Sequence, residues 1–169
     1  ESVISWFKLL YLEDAYSPWK IYWHGLTSQL DGDVLKNLSK TMQMNDLESG
    51  RMISQRLEVP DILDNLFKMK KDDNYEIYRL LSQYDTEILL FIMAKANNEK
   101  VKKAISLYFT KLKGTTIKVR GSDLEKMGYR PGPVYREIFS NLLKARLRDE
   151  VSTREDELNF IKENFKTIS

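Results

Sequence analysis

The side chains with chemistry to offer are few. His24 is the only histidine among 169 residues, and there is no cysteine. Asp31 and Asp33 stand one residue apart, and 13 Lys/Arg fall within residues 100–150. Nucleophilic catalysis needs a thiol or hydroxyl beside a base. His24 lies in an aromatic-rich segment with no thiol available, which fits a positioned core or surface side chain better than a base. Asp-x-Asp is the spacing of a paired-carboxylate Mg²⁺ site for nucleotidyl transfer. Such a pair needs a rigid strand and an upstream phosphate-binding loop, and neither is visible. A turn plus a helix cap explains the two aspartates more simply. No Gly-rich loop of P-loop or dinucleotide type occurs. The expectation is therefore no catalytic residue, no metal ligand and no cofactor in this chain.

The basic residues are the stronger signal. The formal net charge is only +2, but it is unevenly spread. Residues 1–99 hold 11 Lys/Arg against 16 Asp/Glu, residues 100–150 hold 13 against 5, and residues 151–169 hold 3 against 4. A basic block between near-neutral flanks is an electrostatic footprint for nucleic acid. Arg136, Lys144 and Arg148 fall within about 120° on a helix turning about 100° per residue. Arg130 precedes a Pro131-Gly132-Pro133 turn, and free N–H groups at the start of the next helix favour a phosphate. Lys118, Arg120, Lys126 and Arg146 complete the expected RNA-binding set. An ordinary helical hairpin with snorkelling Lys/Arg fits the same pattern, and charge alone does not separate the two.

What must position these residues reads as all-helical. Apolar residues recur at three- and four-residue intervals, with no alternating strand pattern and no Asn-Gly or Asp-Gly hairpin. Val3, Ile4, Phe7, Leu10 and Tyr11 form a first helical face. Ser17-Pro18 starts a second helix, whose row of Trp19, Tyr22, Trp23, Leu26 and Leu30 is expected to fill a core rather than form a base-stacking platform. A third runs from Asp33 to about Met44, with Leu35, Leu38 and Met42 inward. Asn45 and Glu48 fit a capping box, and Pro60 begins a further helix. Residues 70–74 read as a loop or fraying end, followed by a helix over residues 75–81. Residues 88–93 have no polar side and mark the most buried helix. In the helix after it, Val101, Ile105, Tyr108 and Leu112 point inward, with Lys100, Lys103 and Lys111 outside.

Gly114 ends that scaffold, and residues 115–119 form an extended connector. Ser122 with Glu125 reads as a second capping box, closed by Gly128 in a left-handed conformation, and Ser152 with Glu155 as a third. Gly121, Asp123, Gly128, Pro131, Gly132 and Pro133 are assigned structural roles. The fold class is all-α, a bundle of about nine to eleven helices followed by a small C-terminal helical module. The expected division is a scaffold over residues 1–113 and a basic module over residues 114–169. The 88–93 run is far short of the roughly 20 residues that span a bilayer, so no membrane partner is expected, and cytoplasm is the default location. The chain opens at Glu1 without an initiator Met, which suggests excision from a longer protein.

The motif Arg120-Gly-Ser-Asp-Leu, then Met127-Gly-Tyr-Arg-Pro-Gly-Pro, Leu142-Leu-Lys-Ala-Arg-Leu and Thr153-Arg-Glu resembles the C-terminal region of bacterial class II tRNA nucleotidyltransferases. These are the CCA-adding, A-adding and poly(A)-polymerase-like enzymes. The resemblance covers the second half well and the first half loosely. One departure is Tyr135-Arg136, where family members often have Gly a few residues after Pro-Gly-Pro. The resemblance implies a helical body and tail that grip the tRNA acceptor and T-arm backbone. A missing N-terminal head would carry the chemistry with Mg²⁺ and ATP or CTP. The competing reading is a helical interaction module without RNA contact. An autonomous enzyme would need an active site around Asp31 and Asp33.

Overall fold

The computed structural model describes residues 4–5, 16–69 and 73–165. The helix expected over residues 3–11 lies outside these, apart from the helical Ile4 and Ser5. Among the described residues the chain is all-helical, without strands. In chain order the helices are α1 (Pro18–Leu26), α2 (Gly32–Thr41), α3 (Asp46–Leu57), α4 (Val59–Lys68) and α5 (Asn74–Leu81). They continue as α6 (Thr86–Lys95), α7 (Glu99–Leu107), α8 (Gly121–Lys126), α9 (Pro133–Leu147) and α10 (Arg154–Asn164).

Helix α6 is the centre. Ile88, Leu89, Leu90 and Ile92 are fully buried and Phe91 nearly so, as expected of a run with no polar side. Around α6 pack α1, α3 and α7, with α4 against α7. The largest apolar cluster joins these to Ile62, Leu66, Ile77, Leu81, Val101 and Ile105. Each such side chain contributes about 1.5–3 kcal/mol by leaving water. The end of α7 widens into a π-helical turn, Tyr108–Leu112, in which the Lys113 N–H donates to the Tyr108 carbonyl at 2.8 Å. That wider turn buries Tyr108, Phe109 and Leu112 together.

Several expected helix starts are observed. Pro18, Pro60 and Pro133 sit in first turns. Asp31 caps α2 by accepting the N–H groups of Asp33 and Val34, and Asn45 caps α3 by accepting that of Glu48. Ser17 does not cap α1: its N–H donates to Glu87 Oε1 at 2.7 Å, tying the start of α1 to α6. The second and third capping boxes are displaced by one or two residues. Asp123, not Glu125, reaches back to the Arg120 N–H at 2.9 Å, so α8 begins at Gly121. At α10 the reciprocal pair is Thr153 with Asp156, and Asp156 also accepts from Ser152. These amide and hydroxyl donors push the Asp156 carboxyl down to about 2.

Two expected core faces are corrected. Helix α1 buries Ile21, Trp23 and His24, and leaves Trp19, Tyr22, Leu26 and Leu30 at the surface, with Leu26 87% exposed. Met42 is likewise exposed, because α2 stops at Thr41 and the chain turns through a left-handed Gln43.

Residues 115–119 are extended, as expected, but what fixes them is a side chain 38 residues on. Glu157 of α10 is fully buried, and its Oε2 accepts the N–H groups of both Lys118 and Val119 at 2.8 Å. Arg146 Nε lies 3.5 Å from the other carboxylate oxygen. Val119 then enters a second apolar cluster with Leu124, Tyr129, Ile138, Leu142 and Ile161. Helix α9 bridges the clusters, for Leu147 packs in the first and Ile138 and Leu142 in the second.

Removing the carboxylate would leave two amides without a partner and the Arg146 guanidinium without its counter-charge. Glu157→Ala is expected to lower the unfolding free energy in urea by about 2–4 kcal/mol. The exposed Glu163→Ala on the same helix should stay within about 0.5 kcal/mol of the unaltered chain.

Candidate nucleic-acid interface

The expected RNA-binding side chains fall into two groups with different surroundings. Lys118, Lys144, Arg146 and Arg148 are engaged within the protein. Lys118 Nζ donates to the Ser152 carbonyl at 3.3 Å. Arg146, with its side chain only 17% exposed, reaches the same carbonyl and the Glu157 carboxylate. Arg148 forks onto Asp73, with Nε 3.2 Å from Oδ1 and Nη2 on Oδ2. Lys144 Nζ and the Arg148 guanidinium both lie over the Tyr75 ring, at 5.3 and 5.7 Å from its centre.

Arg120, Lys126, Arg130 and Arg136 form the other group. All four are exposed, and none is in an ion pair among the described residues. They bracket one structural unit: Arg120 precedes α8, Lys126 ends it, Arg130 lies in the turn and Arg136 in the first turn of α9. Gly121 at the start of α8 lies against the Tyr135 ring at the start of α9. Arg120 and Arg136, the chain neighbours of those two residues, are thereby brought to the same end of the hairpin. Arg136, by contrast, stands eight residues from Lys144, about 12 Å along the helix axis.

Local chemistry explains the hairpin. Gly128 has φ 88°, the left-handed geometry that glycine reaches without a Cβ clash, and it ends α8 as expected. Tyr129 is buried; its hydroxyl donates to the Phe165 carbonyl at 2.8 Å, and its own carbonyl accepts from the Tyr135 hydroxyl at 3.2 Å. Pro131 and Pro133 flank a Gly132 whose backbone is extended and which any residue could adopt. Asp123 joins α8 to α10: besides accepting the Arg120 N–H it pairs with Arg154 at 2.5 Å. The Arg120 amide, with help from Arg154, holds its carboxyl below the usual carboxylate range.

The remaining candidates carry no chemistry here. Asp31 accepts two backbone amides and Asp33 lies 3.5 Å from Lys36, so the pair is a helix cap with an exposed ion pair. No group of three or more metal-ligating side chains occurs among the described residues, and these two aspartates do not fit a Mg²⁺ site. No described helix is long and apolar enough to cross a membrane. His24 is buried against Trp23 and Phe91, with ring centres 5.3 and 5.8 Å away. Burial, then Arg56 and Lys20, lower its pKa from 6.5 to about 4.

The residues that the sequence reading passed over are Asp73, Tyr75 and Glu157. Glu157 had a visible signal, since it lies four residues before the buried Ile161, on the inward stripe of α10. Asp73 had none, because its partner is 75 residues away.

Comparison with proteins of known function bears directly on this arrangement. Over 162 residues the chain is 33% identical to the A-adding tRNA nucleotidyltransferase of Geobacter sulfurreducens, covering 94% of this chain and 18% of that protein. The chain belongs to the tRNA nucleotidyltransferase family. Other A-adding members align at lower identity. That of Aquifex aeolicus is 28% identical, covering 75% of this chain and 15% of the relative, and that of Halalkalibacterium halodurans is 26% identical, covering 63% and 25%. The chain thus spans a quarter or less of the length of these curated tRNA nucleotidyltransferases. No family model matches it, and no solved structure does.

The depressed pKa of His24 gives stability a definite pH dependence. Below pH 6.5 the unfolded chain takes up a proton on this residue, whereas the folded chain does not until about pH 4. Stability is therefore fully present above 6.5 and falls between 6.5 and 4, by up to about 3 kcal/mol at roughly 1.4 kcal/mol per unit. Urea unfolding of His24→Phe across this window should show a shallower fall than the unaltered chain, and the difference between the two curves isolates the histidine.

Proposed function

We propose that this chain is the non-catalytic, tRNA-binding C-terminal portion of a longer tRNA nucleotidyltransferase. The observation that carries this reading is the set of four exposed, unpaired cations, Arg120, Lys126, Arg130 and Arg136, on one helical hairpin. Phosphate contacts of this kind fix position and orientation without reading sequence. They suit an A-form RNA helix, whose backbone and 2′-hydroxyls are what a protein surface can reach. The start of α9 adds N–H groups and the positive end of a 15-residue helix between Arg130 and Arg136. The acceptor and T-arm backbone of tRNA is the substrate region assigned to this hairpin.

The chemistry belongs to a catalytic head outside this chain, where Mg²⁺ and a nucleoside triphosphate would act. The three relatives are each A-adding enzymes, and addition of A to the tRNA 3′ end is the activity proposed for the longer protein. The 169-residue chain alone is expected to bind tRNA and to incorporate no nucleotide.

Binding of a tRNA acceptor–T-arm minihelix, followed by fluorescence anisotropy across salt concentrations, tests the assignment. Four phosphate contacts predict a log–log slope of roughly −3 to −4. Arg130→Ala with Arg136→Ala should flatten that slope by about 2 and weaken binding at low salt by roughly tenfold or more. A salt-independent interaction, or a slope unmoved by the double substitution, would sink the proposal.

A further inference from the structure

The last turn of α9 is fastened to the first turn of α5 by four interactions at once. Arg148 forks onto Asp73, and the same carboxylate caps α5 by accepting the Tyr75 N–H at 2.9 Å. The Tyr75 ring lies under both Lys144 and Arg148, and Leu147 is buried in the larger apolar cluster beside them. At the other end of α9 stand Arg130 and Arg136. A 15-residue helix is about 22 Å long, so a small rotation at its C-terminal turn becomes a displacement of several ångströms at its N-terminal one.

We propose that Arg148, held by Asp73 over Tyr75, is a positioning residue: it sets the direction of α9 and thereby where the hairpin cations meet the RNA backbone. The inference rests on the tRNA-binding reading and deepens it. Direct phosphate contact by Arg148 is disfavoured by what surrounds it. Two edges of its guanidinium are occupied by a carboxylate, and one face lies on a ring. A phosphate displacing Asp73 would leave that carboxylate unpaired beside a like charge. Lys144, half-buried over the same ring, belongs with the clamp rather than with the RNA-facing set.

The two roles predict opposite results for Asp73. Asparagine keeps the helix cap but loses the charge. If Arg148 positions α9, Asp73→Asn and Arg148→Gln each weaken minihelix binding by roughly threefold to tenfold, the scale of losing one partly exposed ion pair. The double variant is then no worse than either single one, and the salt slope stays that of the unaltered chain. If Arg148 instead contacts phosphate, Asp73→Asn removes a competitor and tightens binding, while Arg148→Gln lowers the slope by about 1. Tightening by Asp73→Asn, a lowered slope for Arg148→Gln, or no effect of either substitution overturns the proposal. Amide exchange in the RNA-free chain separates the clamp from the tRNA reading. Both variants should accelerate exchange at the start of α5 and the end of α9 while the α6 amides stay protected. An unaccelerated pattern overturns the clamp whatever the RNA result, and an absence of minihelix binding by the unaltered chain overturns the tRNA reading alone.

Discussion

A buried carboxylate at Glu157 holds together parts of the chain that have few apolar contacts with which to find one another. The connector over residues 115–119 carries backbone amides into a fully enclosed site, where each needs a partner. One carboxylate oxygen accepts two of them, and Arg146 supplies the counter-charge nearby. Val119 is thereby delivered into the second cluster, α8 starts at the right place, and Asp123 meets Arg154. The hairpin that presents Arg120, Lys126, Arg130 and Arg136 is the downstream result. Because Glu157 grips main-chain groups, the connector is fixed whatever side chains it carries, except that proline has no N–H to offer.

The count of basic residues overstates the field they project. Lys111 is paired with Asp149, Arg146 lies against Glu157, Arg148 is paired with Asp73, and Arg154 with Asp123. Such pairs are close to neutral at the distance of an approaching phosphate, since exposed charges are screened within about 10 Å at moderate salt. The positive potential is thus concentrated where the cations are unpaired. A uniformly basic helix would attract RNA along its whole length; this one offers its N-terminal end.

Much of the fold was legible because helix starts and stops are written locally. Pro18, Pro60, Pro133, Asp31, Asn45 and Gly128 each act within four residues of themselves, and the apolar run in α6 needs no partner to be recognised as core. The displaced caps show the limit of that method: in Arg-Gly-Ser-Asp and Ser-Thr-Arg-Glu-Asp neighbouring residues compete for the same role, and backbone geometry chooses. The face of α1 was misread for a related reason. Both Trp23 and the row of Trp19, Tyr22 and Leu26 are apolar, so periodicity could not say which side meets α6. The division of the basic residues was out of reach altogether, because Asp73 and Arg148 are joined only by the tertiary fold. Similarity supplied the family, and the pairing pattern supplied the candidate contact surface.

The π-helical turn at Tyr108–Leu112 has a consequence for how chains of this kind can change length. Its extra residue is what lets Tyr108, Phe109 and Leu112 all face inward. Deleting any one residue there would restore an ordinary α-turn and rotate everything after it by about 100°. The connector would then leave the scaffold in a direction from which its amides could not meet Glu157. Insertions and deletions are usually absorbed by loops, yet this stretch of helix has its residue count set as strictly as the identity of any core side chain.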